Sequence, residues 1–229
     1  MRYAASMAAA QTVSIAIDNS QSVSGLWQTP PAARACLVLA HGAGAGMTHK
    51  SMAAIADGLA QRGIATLRYQ FPYMERGSKR PDPPPVAHAA VRAAAAAAAH
   101  LGGHLPLFAG GRSFGGRMTS QAQAKAPIAG VRGLVFFAFP LHPPGKPATE
   151  RAEHLSDVSL PMLFLQGTHD EFAKLDLLRS TVAGFGDRAT LKLFEDANHS
   201  FHVPAKTGRK DADLLAEILD AAAEWMAKQ

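Results

Sequence analysis

Leu105-Pro106-Leu107-Phe108-Ala109-Gly110-Gly111-Arg112-Ser113-Phe114-Gly115-Gly116-Arg117 is the stretch on which the fold turns. Residues 105–109 read as a short apolar strand, and residues 114–126 as a helix. Between them Gly111-Arg112-Ser113-Phe114-Gly115 fits G-x-S-x-G. A sharp strand-to-helix turn lifts a serine hydroxyl above a sheet, and glycines on either side relieve the crowding such a turn creates. Ser113 is therefore the expected nucleophile, the alternative being a serine that caps a helix.

The same alternation extends in both directions. Upstream, residues 36–40 form an apolar strand, followed by the turn His41-Gly42-Ala43-Gly44-Ala45-Gly46 and a helix over residues 49–62. Residues 64–69 give another strand, and a long alanine-rich helix is expected from about residue 86, after Pro81 to Pro85. Downstream, strands are expected at 131–139, 161–166 and 190–194, with a helix at 173–183. Leu214, Leu215, Ile218, Leu219, Ala222, Trp225 and Met226 recur at helical spacing in the closing segment. Residues 12–17 and 22–27 read as an antiparallel hairpin, so residues 1–33 form a hairpin and lead-in. Strands alternating with helices predict an α/β fold: a mostly parallel central sheet with helices on both faces. Leu141 to Pro161 has room for a loop and one helix but not for a large cap domain, and residues 1–229 are expected to form a single domain.

Hydrophobic residues make up 48% of the 229-residue chain and charged residues 18%, enough apolar material for a sizeable core. The net charge of +5 favours anionic partners only in a general way. Arg76, Lys79 and Arg80 adjoin Glu75 and lack interleaved aromatic residues, so no nucleic acid is expected. Met1 to Ala10 lacks the apolar core of a secretion signal, and no apolar run approaches the roughly 20 residues of a membrane span. Cys36, the single cysteine, sits in an apolar strand, which fits a cytoplasmic protein without disulfides.

A serine hydroxyl needs a base, and the base needs an orienting acid. His199, in Asp196-Ala197-Asn198-His199-Ser200-Phe201 after a strand, is the candidate base. Asp170, after the strand and turn ending Gly167-Thr168-His169, is the candidate acid, with Glu171 its competitor. The chain order Ser113, Asp170, His199 is that of a known triad arrangement. The backbone amides of Ala43 and Phe114 are the candidate oxyanion donors, with Gly42, Gly44, Gly111 and Gly115 supporting the turns. Arg68, Tyr69, Phe71, Tyr73 and Met74 are expected to line the pocket or secure its floor; for Arg112 and Arg117 attraction of a substrate carboxylate stands against solvent exposure or local ion pairing, and no acidic substrate is inferred. His199 and His202 with His169 do not make a zinc motif, and the turn at 41–46 lacks the Lys and Ser/Thr of a nucleotide loop. No metal and no cofactor are therefore expected. His88, His100, His104, His142 and His154 are expected to be surface or packing residues.

These motifs, together with Arg68-Tyr69-Gln70-Phe71-Pro72-Tyr73-Met74-Glu75, make the chain resemble the α/β-hydrolase superfamily from about residue 34 onward. Within it the chain resembles the compact dienelactone-hydrolase-like group that includes bacterial relatives of testis-expressed protein 30 and the subunit-3 family of a histone-acetylation regulatory complex. The resemblance implies the α/β-hydrolase fold, the triad Ser113, Asp170 and His199, and an oxyanion site near Ala43 and Phe114. The expected activity is a serine hydrolase acting on a small carboxylic ester, thioester or lactone through an acyl-enzyme. The alternatives are a non-catalytic binding or scaffolding protein on the same fold and a serine peptidase. The expected partner is a small-molecule acyl substrate, with no membrane insertion and with assembly into a homo-oligomer left open.

Overall fold

The computed structural model describes residues 9–229. The first eight residues, and with them most of the segment weighed above as a secretion signal, lie outside the described residues. The chain builds an eight-stranded sheet in the order β1-β2-β4-β3-β5-β6-β7-β8. The strands are β1 (Gln11–Ala16), β2 (Ser22–Gln28), β3 (Ala35–Ala40), β4 (Ile64–Tyr69), β5 (Leu107–Arg112), β6 (Val131–Phe137), β7 (Met162–Gly167) and β8 (Ala189–Phe194). β1 pairs antiparallel with β2 and β2 antiparallel with β4, whereas every pairing from β4 through β3 to β8 is parallel.

Strand residues alternate between two cores. Cys36, Val38 and Ala40 face one side of the sheet and Ala35, Leu37 and Leu39 the other; Phe136 and Phe164 divide from Phe137 and Leu165 in the same way. The first side is covered by α3 (Pro84–Gly102), α4 (Phe114–Lys125) and α5 (Leu175–Ala183), and the second by α1 (Lys50–Ala60) and α6 (Asp211–Met226). Strands buried on both faces read as unbroken apolar runs, which is why β3 and β7 stand out in the sequence. The expected α/β-hydrolase fold, with no large inserted cap, is the fold observed: the connection from β6 to β7 holds only a 3-10 segment, Glu150–Asp157.

α3 begins at Pro84, two residues before the expected start near residue 86. Its first turn has no intrahelical partner for its N–H groups, so proline costs nothing there and its fixed φ suits the helix. Ala87, Ala90, Ala94, Ala95 and Ala98 form the buried stripe of α3, and their small side chains bring the helix close to the sheet. A four-residue helical turn, α2 (Pro72–Glu75), follows β4.

The order β4-β3-β5 puts a switch point between β3 and β5, because the chain leaves β3 to one side and returns as β5 on the other. Open α/β sheets form crevices at the carboxyl ends of their strands at such a point. Ser113, after β5, and the turn at residues 41–46, after β3, meet there.

Candidate active site

Ser113 occupies φ 50° and ψ −117°, a strained conformation for a residue with a side chain. Its N–H donates to Phe137 O at 3.0 Å, which pins the elbow to β6. Close packing explains two of the flanking glycines. A Cβ at Gly115 would lie 2.6 Å from both Ala40 O and His41 O, and one at Gly111 would lie 2.3 Å from Ala40 O. The start of α4 can therefore press against the end of β3 only without side chains at these positions. Gly42 meets only ordinary contacts, the nearer being Arg112 O at 3.6 Å, and its turn imposes no such demand.

His199 Nε2 lies 2.8 Å from Ser113 Oγ, and His199 Nδ1 lies 2.9 and 2.8 Å from the two carboxylate oxygens of Asp170. Asp170 is 5% exposed. It also accepts hydrogen bonds from Gln166 Nε2 at 2.5 Å and from the Phe172 N–H at 2.8 Å. With both oxygens accepting, Nδ1 of a neutral His199 carries the proton, and Nε2 is left to accept from the serine hydroxyl. The Phe172 ring covers the imidazole at a centroid distance of 4.2 Å. Glu171, the competitor for the acid role, meets the His199 backbone N–H at 3.4 Å and not the ring.

The loop carrying His199 is tied in several places. Asn198 Oδ1 accepts from the N–H groups of Ser200 (2.8 Å) and His202 (3.1 Å), and the Asn198 N–H donates to His202 O. Arg112, beside Ser113, donates to Ser51 Oγ at 3.0 Å, Ser200 Oγ at 3.3 Å and His199 O at 3.4 Å. It clamps the histidine loop to the elbow, and burial lowers its pKa while the charge of Asp170 opposes that effect. Gln166 donates to Asp170 and accepts the Phe139 N–H at 2.9 Å, bridging Asp170 to the segment after β6.

Ala43, Ser113 and Phe114 line one cleft of 370 Å³ with Pro140, Met118 and Phe172. Among the described residues, neither the Ala43 nor the Phe114 N–H has a protein acceptor. Phe114 opens α4, where N–H groups lack intrahelical partners and the helix dipole favours negative charge. His41 anchors the turn from below: the Phe71 N–H donates to His41 Nε2 at 3.1 Å, so Nδ1 carries the proton and donates to Gly42 O at 2.8 Å. Burial pushes the His41 pKa down to about 4, which keeps the ring neutral. Gly44, at φ +75°, closes the turn and its N–H meets Tyr73 Oη at 3.4 Å.

Residues 33–227 match the family described as Alpha/beta hydrolase domain. The chain belongs to the α/β-hydrolase family. This α/β-hydrolase is 20% identical to the dienelactone hydrolase of Anabaena variabilis ATCC 29413, over 97% of its own length and 98% of that chain, with a TM-score of 0.77. An α/β serine hydrolase homologue from Coxiella burnetii is 19% identical over 91% and 95% of the two chains, with a TM-score of 0.73. A member of the α/β serine hydrolases without lid, from Xanthomonas campestris, is 19% identical over 95% of each chain, with a TM-score of 0.72. At these identities the likeness is one of fold.

The aromatic cluster of the α/β-hydrolase sits one layer behind the cleft and not on its surface. Tyr69, Phe71 and Tyr73 are buried; Phe71 and Tyr73 meet the Phe114 ring edge to face at 5.4 and 6.4 Å, so they back the floor that Phe114 forms. Met74 is only partly buried against the same core. Arg68 is turned to the other side of the sheet toward Gln28 and Met47 O, and Arg112 is consumed by the histidine loop. Of the two roles expected for residues 68–74, lining the pocket or securing its floor, none of them lines the cleft, and neither does Arg112. Arg117 and Arg151 line it instead, and only Arg117 was singled out from sequence. His202 pairs with Asp211, and among the described residues no group of three or more His, Cys, Asp or Glu is placed to hold a metal. A larger depression of 590 Å³ lies over His88 and His154 and does not include Ser113.

Proposed function

We propose that this α/β-hydrolase cleaves small carboxylic esters, thioesters or lactones through an acyl-enzyme on Ser113. The observation that carries the reading is the continuous hydrogen-bonded chain Ser113 Oγ, His199 Nε2, His199 Nδ1, Asp170. His199 takes the hydroxyl proton as Oγ attacks the carbonyl carbon, and Asp170 stabilises the imidazolium without taking the proton itself. The Ala43 and Phe114 amides receive the oxyanion. His199 then protonates the leaving oxygen or sulfur, and a water, deprotonated by the same ring, releases the acid.

A 370 Å³ cleft is at the small end of ligand sites, and without a cap it favours short acyl groups over long chains or polypeptides. Leu101 is the one large apolar side chain that is strongly exposed among the described residues, which favours turnover over a scaffolding role. The reading treats the chain as one domain, because strands from both ends pair in one sheet. It assigns the chain to the compact group with relatives of testis-expressed protein 30, on the turn at 41–46 and the segment 68–75. It takes the cytoplasm as the working compartment, on the lone buried thiol of Cys36.

Labelling with a broad fluorophosphonate probe tests the nucleophile. Wild type is expected to label at Ser113 and Ser113→Ala to remain unlabelled. Absent or equal labelling of the two proteins would remove the enzyme assignment.

A further inference from the structure

We propose that Arg117 and Arg151 form an anion subsite in the Ser113 cleft, and that the ester hydrolysed there carries a carboxylate a few bonds from its scissile carbonyl. The inference rests on the hydrolase reading above and specifies its substrate. Both arginines line the same cleft as Ser113, and both are half-buried. Among the described residues neither guanidinium has an ion-pair or hydrogen-bond partner, and Arg117 Nε is buried with none.

Two other half-buried arginines each make three side-chain hydrogen bonds. Arg62 reaches Asp220, Gly58 O and Ala216 O, while Arg92 reaches three backbone carbonyls. The one carboxylate on the cleft wall is already used: Asp82 accepts from Arg76 at 2.6 Å and from the Tyr73 N–H at 2.7 Å. Two cations therefore face a cleft with no anion left to meet them. Burial lowers the pKa of both arginines, and the charge of Arg151 lowers that of Arg117 further. A pair under that repulsion gains more from an incoming anion than a solvated arginine does.

The placement suits a short substrate. Arg117 follows Ser113 by one helical turn, and its N–H donates to Ser113 O at 3.2 Å. Side chains so spaced have Cβ atoms about 5–6 Å apart. The Arg117 guanidinium lies 6.0 Å from the centroid of the Phe114 ring, a cation–π contact on the cleft floor. Arg151 comes from the 3-10 segment Glu150–Asp157, on the connection that replaces a cap. Two guanidinium forks match the planar geometry of a carboxylate, which takes no part in the bond changes and serves to orient the acyl carbonyl.

The test compares para-nitrophenyl hemiglutarate with para-nitrophenyl valerate, which replaces the carboxylate by a methyl group. The readout is the ratio of their kcat/KM values in wild type, Arg117→Gln, Arg151→Gln, and the exposed-strand variant Arg132→Gln as a control for net charge. A charged hydrogen bond discriminates by about 10-fold to 100-fold. The ratio is expected to exceed 10-fold in wild type, to fall by about 10-fold or more in each cleft variant, and to hold in Arg132→Gln. Arg117→Lys is expected to restore part of it. A wild-type ratio near unity with valerate still cleaved, or a ratio indifferent to Arg117→Gln, overturns the subsite and leaves the hydrolase reading standing.

Failure of both esters together with absent Ser113 labelling overturns the hydrolase reading instead. Glutarate binding by thermal shift then decides the subsite alone: stabilisation of wild type but not of folded Arg117→Gln upholds it, and no shift ends it. Inorganic phosphate stabilising more strongly than glutarate would replace the carboxylate assignment with a phosphorylated ligand.

Discussion

Asp170 accepts three hydrogen-bond donors at once, the His199 ring, the Gln166 amide and the Phe172 N–H, and its position depends on all three. Asp170→Asn keeps the shape but offers one acceptor oxygen where two are used. The amide either turns its NH2 toward His199, forcing the ring into the tautomer that cannot accept from Ser113, or faces another donor. On the reading of Asp170 as the acid, kcat for a simple ester is expected to fall by about 10⁴-fold while the fold is retained. A loss smaller than 10-fold would show that Asp170 does not set the tautomer. Ser113, Asp170 and His199 were legible because each sits in a short loop directly after an apolar strand, in a telling chain order. Gln166, Asn198 and Arg151 were not: Arg151 enters the cleft from a distant connection and Gln166 reaches back to Phe139, whereas Asn198 ties only its own loop, through the Ser200 and His202 N–H groups. Gln166 alone left a trace, as a polar residue closing the otherwise apolar run Met162 to Leu165. For Tyr69, Phe71 and Tyr73 the choice between lining the pocket and securing its floor stayed open. Sequence identifies them as large and apolar but does not tell a cleft wall from the packing behind it.

At the scale of elements, the elbow works because α4 starts almost in contact with the end of β3. Gly115→Ala inserts a Cβ 2.6 Å from two backbone carbonyl oxygens, and neither β3 nor β5 can retreat without breaking parallel pairing. Overpacking of this kind costs about 1–3 kcal/mol, and the displacement of Ser113 from His199 is expected to lower kcat by about 100-fold. Gly42→Ala, where the nearest contact is 3.6 Å, is expected to cost clearly less stability. Comparable urea midpoints for the two variants would refute the steric account. The apolar runs of β3 and β7, and the stretch Leu134 to Phe137 of β6, could be read directly, because strands covered on both faces need no polar alternation. The neighbour order of the sheet could not be read, because a crossover leaves no local mark. The early start of α3 at Pro84 escaped notice because prolines were taken as breakers where the first helical turn accepts them.

At the scale of the whole molecule, buried histidines make stability depend on pH. His41 is fully buried at the end of β3, accepts the Phe71 N–H, and has its pKa lowered to about 4 by desolvation. In the unfolded chain a histidine titrates near 6.5. Between those values the unfolded state binds a proton that the folded state refuses, so stability is complete above about 6.5, falls as pH drops, and levels off below about 4. From pH 7 to pH 5 the share from His41 is about 2 kcal/mol, or about 4–8 °C in Tm for a chain of this size. His154, lowered to about 4 by burial and by the charges of Arg117 and His88, acts in the same direction. Carboxylates contribute to acid lability as well, so the informative quantity is the difference between proteins. His41→Gln can still accept the Phe71 N–H but does not titrate, and its urea midpoint is expected to change less between pH 7 and pH 5 than that of wild type. Parallel slopes for the two proteins would mean that His41 is not the proton-refusing group. Because His41 also holds Gly42 O, its protonation in the folded chain would remove the acceptor for the Phe71 N–H just below the turn that carries the Ala43 amide.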